Sequence, residues 1–136
     1  ADKQHQEDSS VAYYATLSNL FLRMLSEPAC KQNFMQYFKE REITHIAVYG
    51  ENAVYQAVSQ WLSEAGVRVD YIVEDANRSK QNEIRVVPRK SPSYPETRMF
   101  LIADLYNAAS IKNKLRNLTN VPHYTVQDLV DGTYRG

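Results

Sequence analysis

The fold is decided by residues 43–75, which read ITHIAVYGENAVYQAVSQWLSEAGVRVDYIVED. The run Ile43–Tyr49 is nearly continuous in apolar residues, which predicts a central parallel strand covered on both faces. Apolar residues at helical spacing follow over residues 52–65, and Gly66 stands where a left-handed helix stop is expected. A second strand is predicted at Val67–Val73. Two strands joined by so short a helical crossover predict a parallel pair with a right-handed connection.

Strands and helices continue to alternate through the rest of the chain, with short connections. This order predicts an α/β fold, an open parallel Rossmann-like sheet that is covered by helices on both faces and follows an N-terminal helical extension. The further strands are predicted at Ile84–Val87, Met99–Ala103 and Pro122–Val126, and the further helices at Ser110–Leu118 and Val126–Val130.

The sequence divides into three segments. Residues 1–10 are polar and predict a disordered lead-in or a linker. Residues 11–41 predict a helical extension broken at Pro28, and residues 42–136 predict the Rossmann-like domain. The first helix carries a broad apolar stripe, which either packs on the sheet or contacts a partner: a second copy in a homodimer, another protein, or the rest of a larger polypeptide. The stripe consists of Tyr13, Tyr14, Leu17, Phe21 and Met24.

Composition favours one globular domain in a reducing compartment. The 16 basic residues balance 16 acidic ones, so no general attraction to nucleic acid or to an anionic membrane is expected. No apolar run approaches the roughly 20 residues that a membrane-spanning helix needs. Cys30 is the only cysteine, which excludes a disulfide within the chain and fits a cytoplasmic location.

The turn after the first strand lacks two of the three glycines that a dinucleotide-binding βαβ unit uses. Those glycines make the turn, let backbone amides approach the pyrophosphate, and let helix and strand pack closely. Gly50 fills the first position, but Asn52 and Tyr55 fill the other two. Glu51 adds negative charge beside the helix N-terminus, where an anion would otherwise bind. Ordinary NAD(P) binding is therefore not expected, although Glu74 stands where an acidic residue would hold a ribose hydroxyl.

A ligand of an open α/β sheet binds at the carboxyl ends of the strands, near the point where the strand order reverses. The polar groups predicted there suit recognition of hydroxyls or a sugar, so a nucleotide or nucleotide-sugar is the candidate ligand. The competing interpretation is that Asp104 and Asn107 only cap the helix that follows them. The predicted cofactor-binding residues are Gly50, Glu51, Asn52, Glu74, Asp104, Tyr106 and Asn107.

The remaining charged or reactive residues do not predict a specific site. Between positions 78 and 98, six basic residues stand against two acidic ones, and they either face a phosphate or an acidic partner or form a solvated loop. Nucleophile motifs are missing, and His45, His123 and Cys30 lack metal-ligand spacing. The sequence therefore predicts no catalytic residue and no metal site, and His45 is expected to be a partly buried structural residue.

Five short motifs carry a resemblance to a known group of proteins. They are IAVYG at Ile46–Gly50, YIVED at Tyr71–Asp75, IRVVP at Ile84–Pro88, FLIAD at Phe100–Asp104 and VQDLV at Val126–Val130. Between Phe34 and Asp131 the chain resembles the small Rossmann-like NAD(P)-binding-type domains of bacterial surface-polysaccharide and glycosyltransferase loci. The resemblance implies this fold, this genomic setting, and NAD(P) or a nucleotide-sugar as the class of cofactor. Those domains have glycine at the positions of Asn52 and Tyr55.

The residues and the resemblance together predict a degenerate, non-catalytic Rossmann-like module. Its expected role is regulation or assembly in a bacterial carbohydrate or polysaccharide system. The alternative is a binder of a nucleotide or nucleotide-sugar through an altered phosphate loop. An NAD(P)-dependent oxidoreductase ranks third, because the missing glycines count most against it.

Overall fold

A computed structural model describes residues 2–75 and 84–135, with side chains from residue 11 onward. The described part contains five helices and five strands and ends in a 3-10 turn at Thr133–Arg135. The helices are α1 (Asp2–Ser26), α2 (Pro28–Arg41), α3 (Ala53–Glu64), α4 (Ala108–Leu118) and α5 (Val126–Asp131). The strands are β1 (His45–Tyr49), β2 (Arg68–Val73), β3 (Val86–Val87), β4 (Phe100–Ile102) and β5 (His123–Thr125).

The five strands form one parallel sheet in the order β3-β2-β1-β4-β5. The predicted open α/β fold is therefore confirmed, with helices on both faces and the N-terminal helices present. Strand β1 lies in the middle, as its nearly continuous apolar run predicts. The strand order reverses between β1 and β4, which is where ligands of such sheets bind.

Alternate residues of each strand pack on opposite faces of the sheet. In β1, Ile46 and Val48 belong to the core that the sheet shares with α2, α3 and α5. Ala47 and Tyr49 belong to the second core, which α4 covers with Ile111 and other apolar residues. This two-residue period is the ordinary geometry of a strand, and burial of both faces explains why β1 carries hardly any polar residue.

Helix α2 and the inner side of α1 are layers of the fold. α2 buries Cys30, Phe34, Tyr37 and Phe38, and Leu20 of α1 is 1% exposed. Intramolecular packing therefore accounts for much of the predicted apolar stripe: Leu17, Phe21 and Met24 pack against the same core.

Helix α1 begins at Asp2, nine residues before the start predicted at Val11. Lysine, glutamine and glutamate favour helices, and extending an existing helix is easier than starting one. The apolar spacing therefore predicted the helix only from Val11 onward. α1 is 25 residues long, yet within the described residues no helix has the length and apolarity to cross a membrane.

Candidate functional site

The ends of β1 and β4 lie against each other where the strand order reverses, and we call the space at the carboxyl ends of β1, β2 and β4 the crevice. Gly50 follows β1 with a left-handed φ of 102°, and its amide donates to the Val73 carbonyl oxygen over 2.9 Å. A Cβ at this position would lie 3.0 Å from the Cβ of Asp104. Both the backbone angle and the space therefore require glycine here.

Helix α3 begins with a cap made by Asn52. The Asn52 Oδ1 accepts hydrogen bonds from the backbone amides of Val54 (3.0 Å) and Tyr55 (3.2 Å). The Nδ2 of the same residue donates to the Ala103 carbonyl oxygen over 3.0 Å. The Asn52 backbone is extended, with φ of −153°. The amides that receive a pyrophosphate in dinucleotide-binding sheets are therefore bonded to a side chain of this chain.

Glu74 follows β2 and is 8% exposed. One carboxylate oxygen, Oε2, accepts a hydrogen bond from the Glu51 backbone amide over 2.9 Å. The other, Oε1, accepts from the Asp75 amide over 3.1 Å and from Arg89 Nε over 3.0 Å. Burial acts to raise the pKa of Glu74, but the hydrogen bonds from Glu51 and Arg89 outweigh burial and the pKa is lowered. Glu74 is thus an ionised carboxylate with both oxygens engaged.

Arg89 joins the end of β2 to the end of β4. Besides its bond to Glu74, its Nη1 donates to Asp104 Oδ2 over 2.8 Å, and its Cζ lies 5.2 Å from the centre of the Tyr49 ring. Burial acts to raise the pKa of Asp104, but hydrogen bonds from Asn107 and Arg89 outweigh it and the pKa is lowered. We call Arg89, Glu74 and Asp104 together the Arg89 clasp, which runs across the end of β1.

The turn that carries Arg89 is held from two sides. The Arg89 carbonyl oxygen accepts hydrogen bonds from the Tyr94 hydroxyl, over 2.9 Å, and from Lys114 Nζ. The Tyr94 and Tyr49 rings meet edge to face, with centroids 6.2 Å apart. Burial, followed by the contact with Tyr94, raises the pKa of Tyr49 to about 12. These contacts fix the backbone of Arg89, and its guanidinium is thereby held beside the carboxylates of Glu74 and Asp104.

Asp104 also shapes the turn into α4. Its Oδ1 accepts from the Asn107 amide over 3.2 Å, and its Oδ2 accepts from Asn107 Nδ2 over 3.0 Å. Asn107 occupies the cap position of α4, but its side chain makes no cap hydrogen bond. The capping interpretation therefore fails for Asn107, whose side chain is bonded to Asp104. Tyr106 is 55% exposed, and its ring packs edge-on against Tyr13 of α1, with centroids 5.0 Å apart.

Glu51 is a buried carboxylate, 6% exposed, whose Oε2 has no hydrogen-bond partner among the described residues. Tyr55 lies one helical turn further along α3 and is also buried. Burial, followed by the charge of Glu51, raises the pKa of Tyr55. The ring of Tyr55 is part of the apolar core beneath α3, in the space that a third glycine would leave open.

The structure brings most of the predicted site residues together. Gly50, Glu74 and Asp104 meet at the ends of β1, β2 and β4, with Asn107 on Asp104. Asn52 reaches the same edge through Ala103, and Glu51 reaches it through its backbone amide. Tyr106 lies instead beside α1.

Sequence reasoning missed Arg89 as a site residue, although a signal was present. Arg89 directly follows the proline that ends β3, so it stands at the same edge of the sheet as the other strand ends. In the basic segment around it, Arg85, Lys90 and Arg98 are exposed, as in a solvated loop. Arg78 and Lys80 lie outside the described residues.

A second polar cluster lies at the opposite edge of the sheet. His45 opens β1, and its Nδ1 lies 2.6 Å from Asp70 Oδ2, which also accepts from Thr97 Oγ1 over 3.1 Å. Burial acts to raise the pKa of Asp70, but hydrogen bonds from His45 and Thr97 outweigh it and the pKa is lowered. His45 is partly buried, in agreement with its expected structural role. Across residues 11–75 and 84–135, no group of histidine, cysteine and acidic side chains could hold a metal ion.

In the crevice, the groups that would bind a ligand are hydrogen-bonded to one another. The α3 amides are bonded to Asn52, Glu74 to Glu51 and Arg89, and Asp104 to Arg89 and Asn107. No protein-family model, curated protein or solved structure matches this chain.

Proposed function

We propose that this chain is a non-catalytic Rossmann-like module with a regulatory or assembly role, and that its own side chains close its nucleotide crevice. The proposed setting is a bacterial carbohydrate or polysaccharide system in the cytoplasm, and this part rests on the sequence resemblance and composition alone. The proposed assembly is a homodimer through α1.

The observation that carries the proposal is the cap on α3. A pyrophosphate gains its binding energy in such a fold from unpaired amides at a helix N-terminus. Here the Asn52 Oδ1 accepts from the amides of Val54 and Tyr55. A phosphate would have to displace that oxygen, and the displaced side chain would also lose its bond to Ala103.

The Arg89 clasp supports the same proposal at the ribose end of the crevice. An acidic residue after the second strand usually accepts hydrogen bonds from a ribose hydroxyl. Glu74 has that position, but its carboxylate is ion-paired with Arg89 and bonded to the Glu51 amide. A nucleotide would therefore have to break a part-buried ion pair before it gained a hydrogen bond from Glu74.

One observation favours the alternative, a binder of a nucleotide or nucleotide-sugar. Glu51 is buried and one of its carboxylate oxygens has no partner among the described residues. A hydroxyl donor would satisfy that oxygen, and such a donor is common on a sugar. In this alternative the ligand enters by a loop different from the ordinary phosphate-binding turn.

The experiment is a thermal-shift series on the wild-type chain with NAD(H), NADP(H), ATP, and UDP- and GDP-sugars, each at millimolar concentration. The proposal predicts no shift with any of them. A ligand at 100 times its Kd would add about 2.7 kcal/mol to the free energy of unfolding, which raises Tm by several degrees. A saturable shift of that size with one ligand would replace the proposal by the alternative.

A double variant, Asn52→Gly with Tyr55→Gly, is the companion measurement. It restores glycine at both positions and removes the cap. If a nucleotide binds only to this variant, the two side chains are what closes the crevice. The double variant Gln56→Gly with Gln60→Gly in the same helix controls for the loss of helix stability, since both glutamines are exposed.

A further inference from the structure

Helix α1 has large apolar side chains beside its packed side that the described part of the chain leaves exposed. Val11 is 68% exposed, Tyr14 64%, Leu22 63% and Leu25 88%. These residues and Ser18 lie on one side of the helix, because successive members are three or four positions apart. We call Val11, Tyr14, Ser18, Leu22 and Leu25 the outer seam. Large apolar side chains grouped so closely on a surface mark an interaction site.

The outer seam borders the side of α1 that packs on the fold, but its four large side chains are exposed. Leu20 is fully buried and Leu17, Phe21 and Met24 pack against the sheet-side core. The inner side thus satisfies the fold, and the outer seam is additional. A helix whose apolar surface extends beyond its packed side fits one that also contacts a second body.

The spacing of the outer seam is symmetrical about Ser18. The steps along the seam are 3, 4, 4 and 3 residues, so Val11 and Leu25 are equally far from Ser18 along the helix, and so are Tyr14 and Leu22. We propose that α1 packs antiparallel against α1 of a second copy, with the two-fold axis at Ser18. Val11 then faces Leu25 of the second copy, and Tyr14 faces its Leu22. An isologous contact requires such a self-complementary surface.

The area of the seam is consistent with a homodimer, provided that the neighbouring groove takes part. The four large side chains offer roughly 100 Å² each, hence about 800 Å² over two copies, whereas a specific interface needs about 1,000 Å². Leu25 also lines a groove of about 520 Å³ together with Phe21, Met24, Pro28 and Trp61. In the antiparallel register Val11 of the second copy lies beside this groove. An interface of this size is at the lower limit for specific association, so we expect a weak dimer that forms between micromolar and millimolar concentrations of the chain.

This inference deepens the proposed assembly role and rests on it, but it is tested without any nucleotide. The mass of the full chain is measured by sedimentation between 1 μM and 1 mM. The expected result is a monomer that becomes a dimer across that range. Leu22→Asp should weaken the dimer at least tenfold, because a carboxylate would face Tyr14 of the second copy. Asn19→Asp, an equally charged change at an exposed position of the same helix, should leave it within twofold.

Disulfide trapping tests the register. Ser18→Cys should form a covalent dimer under mild oxidation, since the two positions meet at the axis. Leu25→Cys alone should not, but a mixture of the Leu25→Cys and Val11→Cys proteins should. The wild type controls for Cys30, which is 2% exposed. Circular dichroism of each variant checks that the fold is unchanged, as expected for exposed positions.

Three results would overturn the inference: a monomer at 1 mM, a dimer unaffected by Leu22→Asp, or efficient trapping of Leu25→Cys alone, which indicates parallel helices. The thermal-shift series reports separately on the crevice. A nucleotide shift with an intact α1 dimer contradicts only the closed crevice, whereas a monomer without a nucleotide shift contradicts only the dimer.

Discussion

Gly50 and Asp104 are so close that a methyl group on Gly50 would collide with Asp104. The added Cβ would lie 3.0 Å from the Asp104 Cβ and 3.1 Å from its backbone nitrogen. The carboxyl ends of β1 and β4 therefore touch where an open sheet usually admits a ligand. Above this contact, Arg89 binds Asp104 on one side and Glu74 on the other.

We expect Gly50→Ala to lower the free energy of unfolding by about 3 kcal/mol. A positive φ costs an alanine roughly 1–2 kcal/mol, and overpacking against Asp104 adds roughly 1–3 kcal/mol. Gly66→Ala is the matched control, since Gly66 also has a positive φ but a Cβ there meets nothing within 4 Å. Urea denaturation of both variants measures the difference. Equal losses would mean that the contact with Asp104 does not restrict the turn.

The fold was predictable because its signals are local. The apolar run of β1 and the glycine after α3 each depend on residues close together in the sequence, and each was found in its predicted place. The start of α1 was missed by nine residues, since polar helix residues leave no apolar period.

The clasp was not predictable by the same means. Arg89 is 15 residues from both Glu74 and Asp104, and it stands in a basic segment whose other described members are exposed. Only the strand order brings the ends of β2, β3 and β4 to one edge. The role of Asn52 was half visible: an asparagine before a helix suggests a cap, but its second bond, to Ala103, depends on the tertiary fold.

We expect Arg89→Met to lower the free energy of unfolding at pH 7 by about 3 kcal/mol, because it leaves two part-buried carboxylates without their cation. Lys90→Met, in the same turn but exposed, is the control and should change stability by less than about 0.5 kcal/mol. Chemical denaturation at pH 7 measures both. A loss as small as that of the control would show that the clasp adds nothing to stability.

The loss in free energy of unfolding that Arg89→Met causes should become smaller as the pH falls. In the wild type the pKa values of Glu74 and Asp104 are lowered. Their contribution is therefore complete above the unfolded pKa values of about 4 and is lost as the pH falls through the folded ones. Without the guanidinium both pKa values rise, so less of this contribution remains in the variant near neutral pH and less is lost as the pH falls. The difference in the free energy of unfolding between the wild type and Arg89→Met, measured by denaturation at pH 7, 5 and 3.5, should decrease as the pH falls. A difference that stays constant would contradict this.

We expect Asn52→Ala to lower the free energy of unfolding by about 1–2 kcal/mol, the usual cost of losing a helix cap. Asn52→Ser keeps a capping oxygen but loses the bond to Ala103, so its loss should be clearly smaller. The pair separates the cap from the link to β4. Thermal unfolding followed by circular dichroism provides the measurement, and equal losses would assign the stability to the Ala103 bond instead.

We expect Glu51→Gln to stabilise the chain by about 1 kcal/mol at pH 7. The substitution removes a buried charge whose Oε2 has no partner among the described residues, and burial of an unpaired charge is costly. The favourable interaction of a carboxylate with the α3 N-terminus offsets part of the gain. Thermal unfolding at pH 7 measures the change. A loss of stability would indicate that the carboxylate is satisfied by a partner.

The most direct measurement of the central claim is a nuclear magnetic resonance titration of the backbone amides of Glu51, Val54 and Tyr55 with NAD⁺ and with a UDP-sugar. The account predicts that these three signals stay in place up to 5 mM ligand, because Glu74 and Asn52 already hold the amide protons. Saturable movement centred on these three amides would contradict it, since it would mean that a phosphate can displace the side chains that close the crevice.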